Sequence, residues 1–276
     1  MHCKFTTCKY RHIGRTPTRV FICAVLVAAT MPLVVTARTE ASEEPRLCWG
    51  STDVSHEQRL AGCTAVIKAG RVSAQNLAKA FNNRGNAYLG LRDYERAIAD
   101  YGRAIEIDPQ HAAAFYGRGN AYQRKGRYDR AIKDYDRAIE IVPSNAAAFF
   151  GRGRAYQDKA RYDFDAYLNE GQYETLAIRD YDKAIRLNPK NAAAFNNRGN
   201  AYVSKRMYDR ALQDYDEAIR LKPDSALYFK NRGDAFRKIG QYQSAIADYR
   251  KTLSLKIDDP TKKQIEKAFK ELGVTG

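Results

Sequence analysis

Five segments of this 276-residue chain carry one residue pattern, and a pattern repeated that often limits the fold more than any single residue does. The copies begin at Ala78, Ala112, Ala146, Ala192 and Ala226. Their fourth place is always Phe: Phe81, Phe115, Phe149, Phe195 and Phe229. Their seventh and eighth places are always Arg-Gly: Arg84-Gly85, Arg118-Gly119, Arg152-Gly153, Arg198-Gly199 and Arg232-Gly233. An aromatic fills the eleventh place (Tyr88, Tyr122, Tyr156, Tyr202, Phe236). Further on come Ala97, Ala131, Ala177, Ala211 and Ala245, then Tyr101, Tyr135, Tyr181, Tyr215 and Tyr249, with Pro109, Pro143, Pro189 and Pro223 closing four copies. The step is 34 residues between the first two copies and between the last two. Places one, four, eight and eleven lie on one face of a helix, and places twenty, twenty-four and twenty-seven do the same on a second.

A hairpin of two such helices is too small to bury its own apolar face, so neighbouring hairpins must stack. Twenty of the 30 Phe and Tyr residues fall on four repeat places, which makes them packing residues first. The Gly and the facing Ala allow the two helices to approach closely. This period and pattern resemble the tetratricopeptide-repeat family from about Ala78 to Asp259. The resemblance implies an all-α fold, a right-handed α-solenoid of about five hairpins. The expected organisation is a signal peptide at 1–37 and an N-terminal capping segment with a partial hairpin at 38–77. Repeats follow at 78–111, 112–145, 146–191, 192–225 and 226–259, the third with a 12-residue insertion, and a capping helix at 260–276. Asn145, Asn191 and Ser225 stand just before their Ala, where an N-cap belongs.

The seventh place departs from the common form of the repeat, which has a large aliphatic residue there. Sixteen places further in the repeat frame every copy has Asp: Asp100, Asp134, Asp180, Asp214 and Asp248. The expectation is five structural ion pairs, Arg84–Asp100, Arg118–Asp134, Arg152–Asp180, Arg198–Asp214 and Arg232–Asp248, with bidentate geometry. The rival is a ladder of arginines that reads an acidic ligand.

The first 37 residues read as targeting. Lys4, Lys9, Arg11, Arg15 and Arg19 precede the uncharged run Val20–Val35, and Val35-Thr36-Ala37 offers small −3 and −1 residues for cleavage after Ala37. The chain is therefore expected to be exported, to the periplasm, with no stable membrane span once the leader is cleaved. The alternative is an uncleaved anchor, although the run is short and contains Pro32. Ile22 before Cys23 speaks against a lipoprotein. Loss of five basic leader residues takes the formal charge from +15 to +10. It leaves Cys48 and Cys63, which in an exported protein suggest one disulfide; two free buried thiols are the alternative. Ser55-His56-Glu57-Gln58 reads as a capping box that opens a helix to about Lys68, with Leu60, Cys63 and Ile67 on one face. Cys63 falls where Tyr101 sits in the first copy, so this helix resembles the second helix of an incomplete repeat. The Cys48/Cys63 pair also resembles the N-terminal portion of small exported tetratricopeptide proteins of α-proteobacteria. At the other end the pattern fades after Ser254, Pro260 breaks the chain, and Lys262–Leu272 forms a charged amphipathic helix.

Catalytic motifs are missing from the sequence. His56 and His111 are the histidines left after the leader, and both sit at helix starts. There is no Cys/His cluster with zinc spacing, no phosphate-cradling loop and no nucleophile elbow. The Gly117/Gly119 and Gly151/Gly153 pairs fall inside helices. The reading is a non-enzyme with no catalytic residues, no metal and no cofactor.

In proteins of the resembled family, the first helices line a concave groove, mainly through places two, five, nine and twelve. Carried over, these are Lys79, Asn82, Asn86 and Leu89; Tyr116, Asn120 and Gln123; Phe150, Arg154 and Gln157; Asn196, Asn200 and Val203; and Lys230, Asp234 and Arg237. Asn86, Asn120 and Asn200 share place nine, and an amide both donates and accepts, which suits the backbone of an extended peptide. These Asn equally suit the Arg-Gly version of the repeat. The Lys and Asn residues do not recur in the full combination of the family's carboxylate clamp. The insertion in the third copy, within Ala160–Leu176, holds Tyr162, Phe164, Tyr167 and Tyr173 among acids and is a second binding candidate. Two functions stand: a scaffold holding a protein or extended peptide, and an electrostatic binder of anionic envelope polymers such as lipopolysaccharide or acidic glycan. Basic residues spread among acidic partners argue against nucleic acid.

Overall fold

The computed structural model describes residues 46–50, 53–162 and 171–274. All of them belong to one compact unit, Thr39–Gly276. The expected leader, and Phe164 and Tyr167 of the insertion, lie outside the described residues. Among the described residues there are twelve helices and no strand, preceded by a helical turn at 46–49. Helix α1 is His56–Ala69, α2 Ala74–Gly90, α3 Tyr94–Ile107, α4 Ala112–Arg124, α5 Tyr128–Ile141 and α6 Ala146–Tyr162. Helix α7 is Gln172–Leu187, α8 Ala192–Ser204, α9 Tyr208–Leu221, α10 Ala226–Lys238, α11 Tyr242–Leu253 and α12 Asp259–Glu271.

Local chemistry sets many of these boundaries. The Ser55 hydroxyl accepts from the Gln58 N–H at 3.2 Å while the Ser55 N–H donates to Gln58 Oε1 at 2.9 Å, a complete capping box for α1. Asn145 and Asn191 each accept, at 3.1 Å, from a backbone N–H of the first turn of α6 and α8. Ser225 stands at the N-cap of α10 but makes no side-chain cap bond. Helix α2 starts four residues ahead of the Ala78 frame because Ser73 caps it, accepting from the Asn76 N–H at 3.3 Å. Pro260 does not break the chain. It lies in the first turn of α12, where its missing N–H costs nothing, behind Asp258 as N-cap.

Sequential helices pack as antiparallel hairpins and the hairpins stack. The first helices α2, α4, α6, α8 and α10 also touch their counterparts in the next repeat, whereas the second helices do not. The first helices therefore lie on the inner side of the stack. Each second helix buries an Ala, Asp, Tyr and a further small residue, as in Ala97, Asp100, Tyr101 and Ala104 of α3. The buried Tyr ring is the centre of each layer. A Cβ on Gly85 would come 2.8 Å from the Tyr101 ring, and one on Gly117 of the next repeat 2.5 Å. Gly119 and Gly151 flank Tyr135 in the same way. The invariant place-eight glycine thus makes half of each slot from the ring's own repeat, and for Tyr101 and Tyr135 a place-six glycine of the next repeat makes the other half.

Both ends are covered. Helix α1 buries Gly62, Cys63 and Val66, with Ile67 packed partly buried against the Cys63 cluster and Leu60 half-buried. Cys48 and Cys63 are fully buried, their Cα atoms 4.5 Å apart and their sulfurs at disulfide distance. The Cys48 carbonyl accepts from Asn83 Nδ2 at 2.9 Å, tying this segment to α2. At the far end Ile265 and Ala268 of α12 close over Ala245 and Tyr249, and Phe269 meets Tyr249 edge-on at 6.0 Å.

Candidate functional site: the face of the first helices

The invariant Arg points inward to its hairpin. Arg84 holds Asp100 through two hydrogen bonds of 2.6 and 2.8 Å, and Arg118 holds Asp134 through two of 2.8 Å. Arg152 and Asp180 make two of 2.7 Å, Arg198 and Asp214 bonds of 2.9 and 2.6 Å, and Arg232 and Asp248 bonds of 2.8 and 2.7 Å. The hydrogen bond to its Asp raises the pKa of Arg84, Arg118 and Arg232, so the charge is permanent. Each guanidinium also lies over the invariant Phe three residues earlier, 5.4 to 5.7 Å from the ring centroid. These are structural pairs, and no ladder of free arginines exists at place seven.

A second set of acids does not stand out in the sequence. Arg152 Nη1 also holds Asp136 at 2.6 Å, Arg198 holds Asp182 at 2.6 Å, and Arg232 holds Asp216 at 2.6 Å. Each of these acids belongs to the preceding repeat, so the same Arg joins two hairpins. The signal is present as an Asp at place twenty-five in copies two to four, masked by the general abundance of carboxylates. At that place the first copy has Gly102, and a Cβ there would lie 4.0 Å from Arg118 Nη1.

In four copies a buried tyrosine fixes the place-nine side chain, and in the third, where place nine is Arg154, it fixes Gln157 at place twelve. Tyr101, Tyr135 and Tyr215 donate their hydroxyls at 2.7 Å to Oδ1 of Asn86, Asn120 and Asn200. Tyr249 donates to Asp234 at 2.7 Å, and Tyr181 to Gln157 at 2.5 Å. Burial pushes the pKa of these phenols up, so they remain protonated donors. Oδ1 of each Asn thus already accepts one hydrogen bond, and the two hydrogens on Nδ2 are the amide's donors.

Other candidates divide between surface and interior. Lys79 and Asn86 are exposed, while Asn120, Arg154, Asn200, Lys230 and Arg237 are half-buried. Asn82, Gln123 and Asn196 are buried, and Gln123 and Asn196 join neighbouring repeats while Asn82 donates to the adjacent Asn83 at 3.3 Å. Asn196 Oδ1 accepts from Asn231 at 2.8 Å, and Gln123 donates to Asp158 at 2.6 Å while accepting from Tyr135 at 3.0 Å. Tyr116 and Phe150 lean on the layer tyrosines Tyr135 and Tyr181, each 5.9 Å between centroids. Lys230 is paired with Asp234 at 2.9 Å and Arg237 with Glu271 at 2.9 Å. In the third copy α6 runs on through Tyr162, so the insertion begins as helix and not as loop. Tyr162 stacks on Tyr128 at 6.5 Å and Tyr173 on Tyr156 at 6.1 Å.

The tyrosine slot, the hairpin stack and the 34-residue spacing agree with the family models. Tetratricopeptide-repeat models match residues 82–146, 116–168, 192–225 and 231–257, and a TPR repeat model matches 165–205. The chain belongs to the tetratricopeptide-repeat family. No curated relative matches the sequence. Among solved structures this TPR protein resembles YrrB, a TPR protein with an unusual peptide-binding site, at 23% identity and a TM-score of 0.55, over 75% of this chain and 99% of that one. It resembles TTC0263, a thermophilic TPR protein of Thermus thermophilus, at 22% identity and a TM-score of 0.57, over 71% and 99% of the two chains. For PilF of Pseudomonas aeruginosa the values are 19%, 0.60, 73% and 89%. At these identities the likeness is one of fold. Among the described residues no helix is long and apolar enough to cross a membrane.

Proposed function

We propose that this TPR protein is a non-catalytic, exported scaffold that holds a protein or an extended peptide along its first helices. The observation that carries this reading is the row of side-chain amides at place nine. Asn86, Asn120 and Asn200 stand at place nine of the first, second and fourth copies on the inner helices, and each has its Oδ1 held by a buried Tyr, which leaves the two N–H bonds as donors. Backbone carbonyls of an extended chain are the acceptors such a row fits, with little demand on sequence. Export rests on the three-part leader and on Cys48 and Cys63 lying at disulfide distance. The electrostatic reading rests on the net basic charge alone.

The test uses the chain as bait against an extract of the producing cell's envelope, at low and high salt. A second bait carries Asn86→Asp, Asn120→Asp and Asn200→Asp, which keeps an acceptor for each Tyr as Asp234 already does. A protein retained in high salt by the native bait and lost by the variant is the expected result. Recovery of nothing but polyanions that elute with salt would overturn the scaffold in favour of the basic surface. Mass spectrometry of the exported protein, with Arg38 as its first residue, checks the leader.

A further inference from the structure

Between the first three repeats the inner face opens into a pocket of about 540 Å³. Its polar lining is Arg92, Tyr94, Asn120, Gln123, Arg124 and Arg154, closed on one side by Tyr116. Arg92 and Arg124 are exposed, Arg154 is half-buried, and none of the three has an ion-pair partner among the described residues. The acids nearby are engaged elsewhere. Asp158 takes the Gln123 amide, Asp93 pairs with Arg96, and Glu95 with Lys125 and Arg127. Oδ1 of Asn120 and Oε1 of Gln123 share the single Tyr135 hydroxyl proton, and Gln123 donates through Nε2 to Asp158. The charged groups of the lining are three guanidiniums, of which Arg154 also lies over the Phe150 ring at 6.0 Å, and no carboxylate belongs to it. A pocket whose charged groups are all cationic favours an occupant that brings anionic oxygen.

We propose that this pocket takes side-chain carboxylates of an acidic stretch within an extended polypeptide, with Arg92, Arg124 and Arg154 as the reading residues. The inference rests on the scaffold reading and makes it specific. Asn120 lies in the pocket and Asn86 continues the row beyond it, so the backbone of the same segment has amide partners beside its acids. A guanidinium fork matches a carboxylate with two parallel hydrogen bonds, which ammonium groups at these places would not supply.

The experiment is fluorescence anisotropy of the full chain with a labelled hexaglutamate peptide, blocked at both ends, against the matching hexaglutamine peptide. Arg124→Gln/Arg154→Gln is compared with Lys133→Gln, which removes one charge from an exposed place on a second helix. All variants are checked by circular dichroism, and the exposed Arg124→Gln and Arg92→Gln single variants serve if the pair fails to fold. The hexaglutamate Kd should rise roughly tenfold for each arginine removed and stay within about twofold for Lys133→Gln. Equal loss in all variants, or displacement by inorganic polyphosphate but not by unlabelled hexaglutamate, would overturn the carboxylate site. Equal affinity for hexaglutamine would also overturn it, yet leave the scaffold standing if that binding is lost in the Asn→Asp bait. No binding of either peptide, where the bait does capture a protein in high salt, sinks the acidic preference alone.

Discussion

At the scale of single residues, one side chain in this array is out of keeping with its place. His111 stands where Asn145 and Asn191 cap their helices, and it makes no cap bond. Its Nε2 is buried without a partner, and burial lowers its pKa from 6.5, with Lys79 adding to the effect and Asp108 opposing it. The unfolded chain therefore holds more protons than the folded one between the lowered value and 6.5, and stability present above that window is lost as pH falls through it. His111→Asn should gain about 1 kcal/mol from the cap near neutral pH. It should also flatten the pH dependence, so that its advantage over the native chain widens on going from about pH 7.5 to about pH 5.5. Urea unfolding at both values measures this. The residue scale is also where the sequence is least transparent. The Arg–Asp pairs are legible because both partners recur at a fixed interval. The direction of the Asn amides is not, since it depends on a Tyr fifteen residues away across the hairpin. Asn82, Gln123 and Asn196 share the sequence places of surface residues yet are buried, and the partners of Gln123 and Asn196 come from the next repeat.

At the scale of elements, helices and turns follow the repeat closely, and the exceptions have local causes. Four of the five first helices start at the repeat's own Ala, while α2 and α12 start where Ser73 and Asp258 cap them. The turn inside each hairpin asks for a left-handed residue at place fifteen. Gly126 and Gly240 meet it with φ of 70° and 78°, but Arg92 and Arg206 adopt it at 61° and 59°. An L side chain in that region costs on the order of 1–2 kcal/mol, partly offset by the lower entropy of its unfolded chain. Arg206→Gly should accordingly raise stability by roughly 0.5–1 kcal/mol, seen as a higher urea midpoint with unchanged slope. Arg92 makes the same substitution informative in another way, because it lies in the pocket of the first three repeats.

At the scale of the whole array, the hairpins are not joined with equal strength. Asp136, Asp182 and Asp216 reach forward to the arginine of the next repeat, and the junction of the first two repeats lacks such an acid. Gly102→Asp should supply it. A Cβ there meets no atom closer than Arg118 Nη1 at 4.0 Å, so the side chain is added to open space. The ion pair and the loss of a helical Gly together should stabilise by about 1 kcal/mol. Hydrogen exchange gives the sharper readout, since protection should rise in α2 and α3 while α8 to α11 stay unchanged, as a nearest-neighbour array requires.

The slots around Tyr101 and Tyr135 bear on how such a chain can be lengthened or cut. Tyr101 is seated by Gly85 of its own repeat and Gly117 of the next, and Tyr135 by Gly119 and Gly151. The seam between modules therefore runs through the ring and not between hairpins. A segment excised from one hairpin boundary to the next would bring together two half-slots that were never matched, unless the residues at places six and eight happened to agree. The transferable unit at these two junctions runs from one tyrosine to the following one, and a graft or deletion drawn on that register keeps both rings in a complete seat.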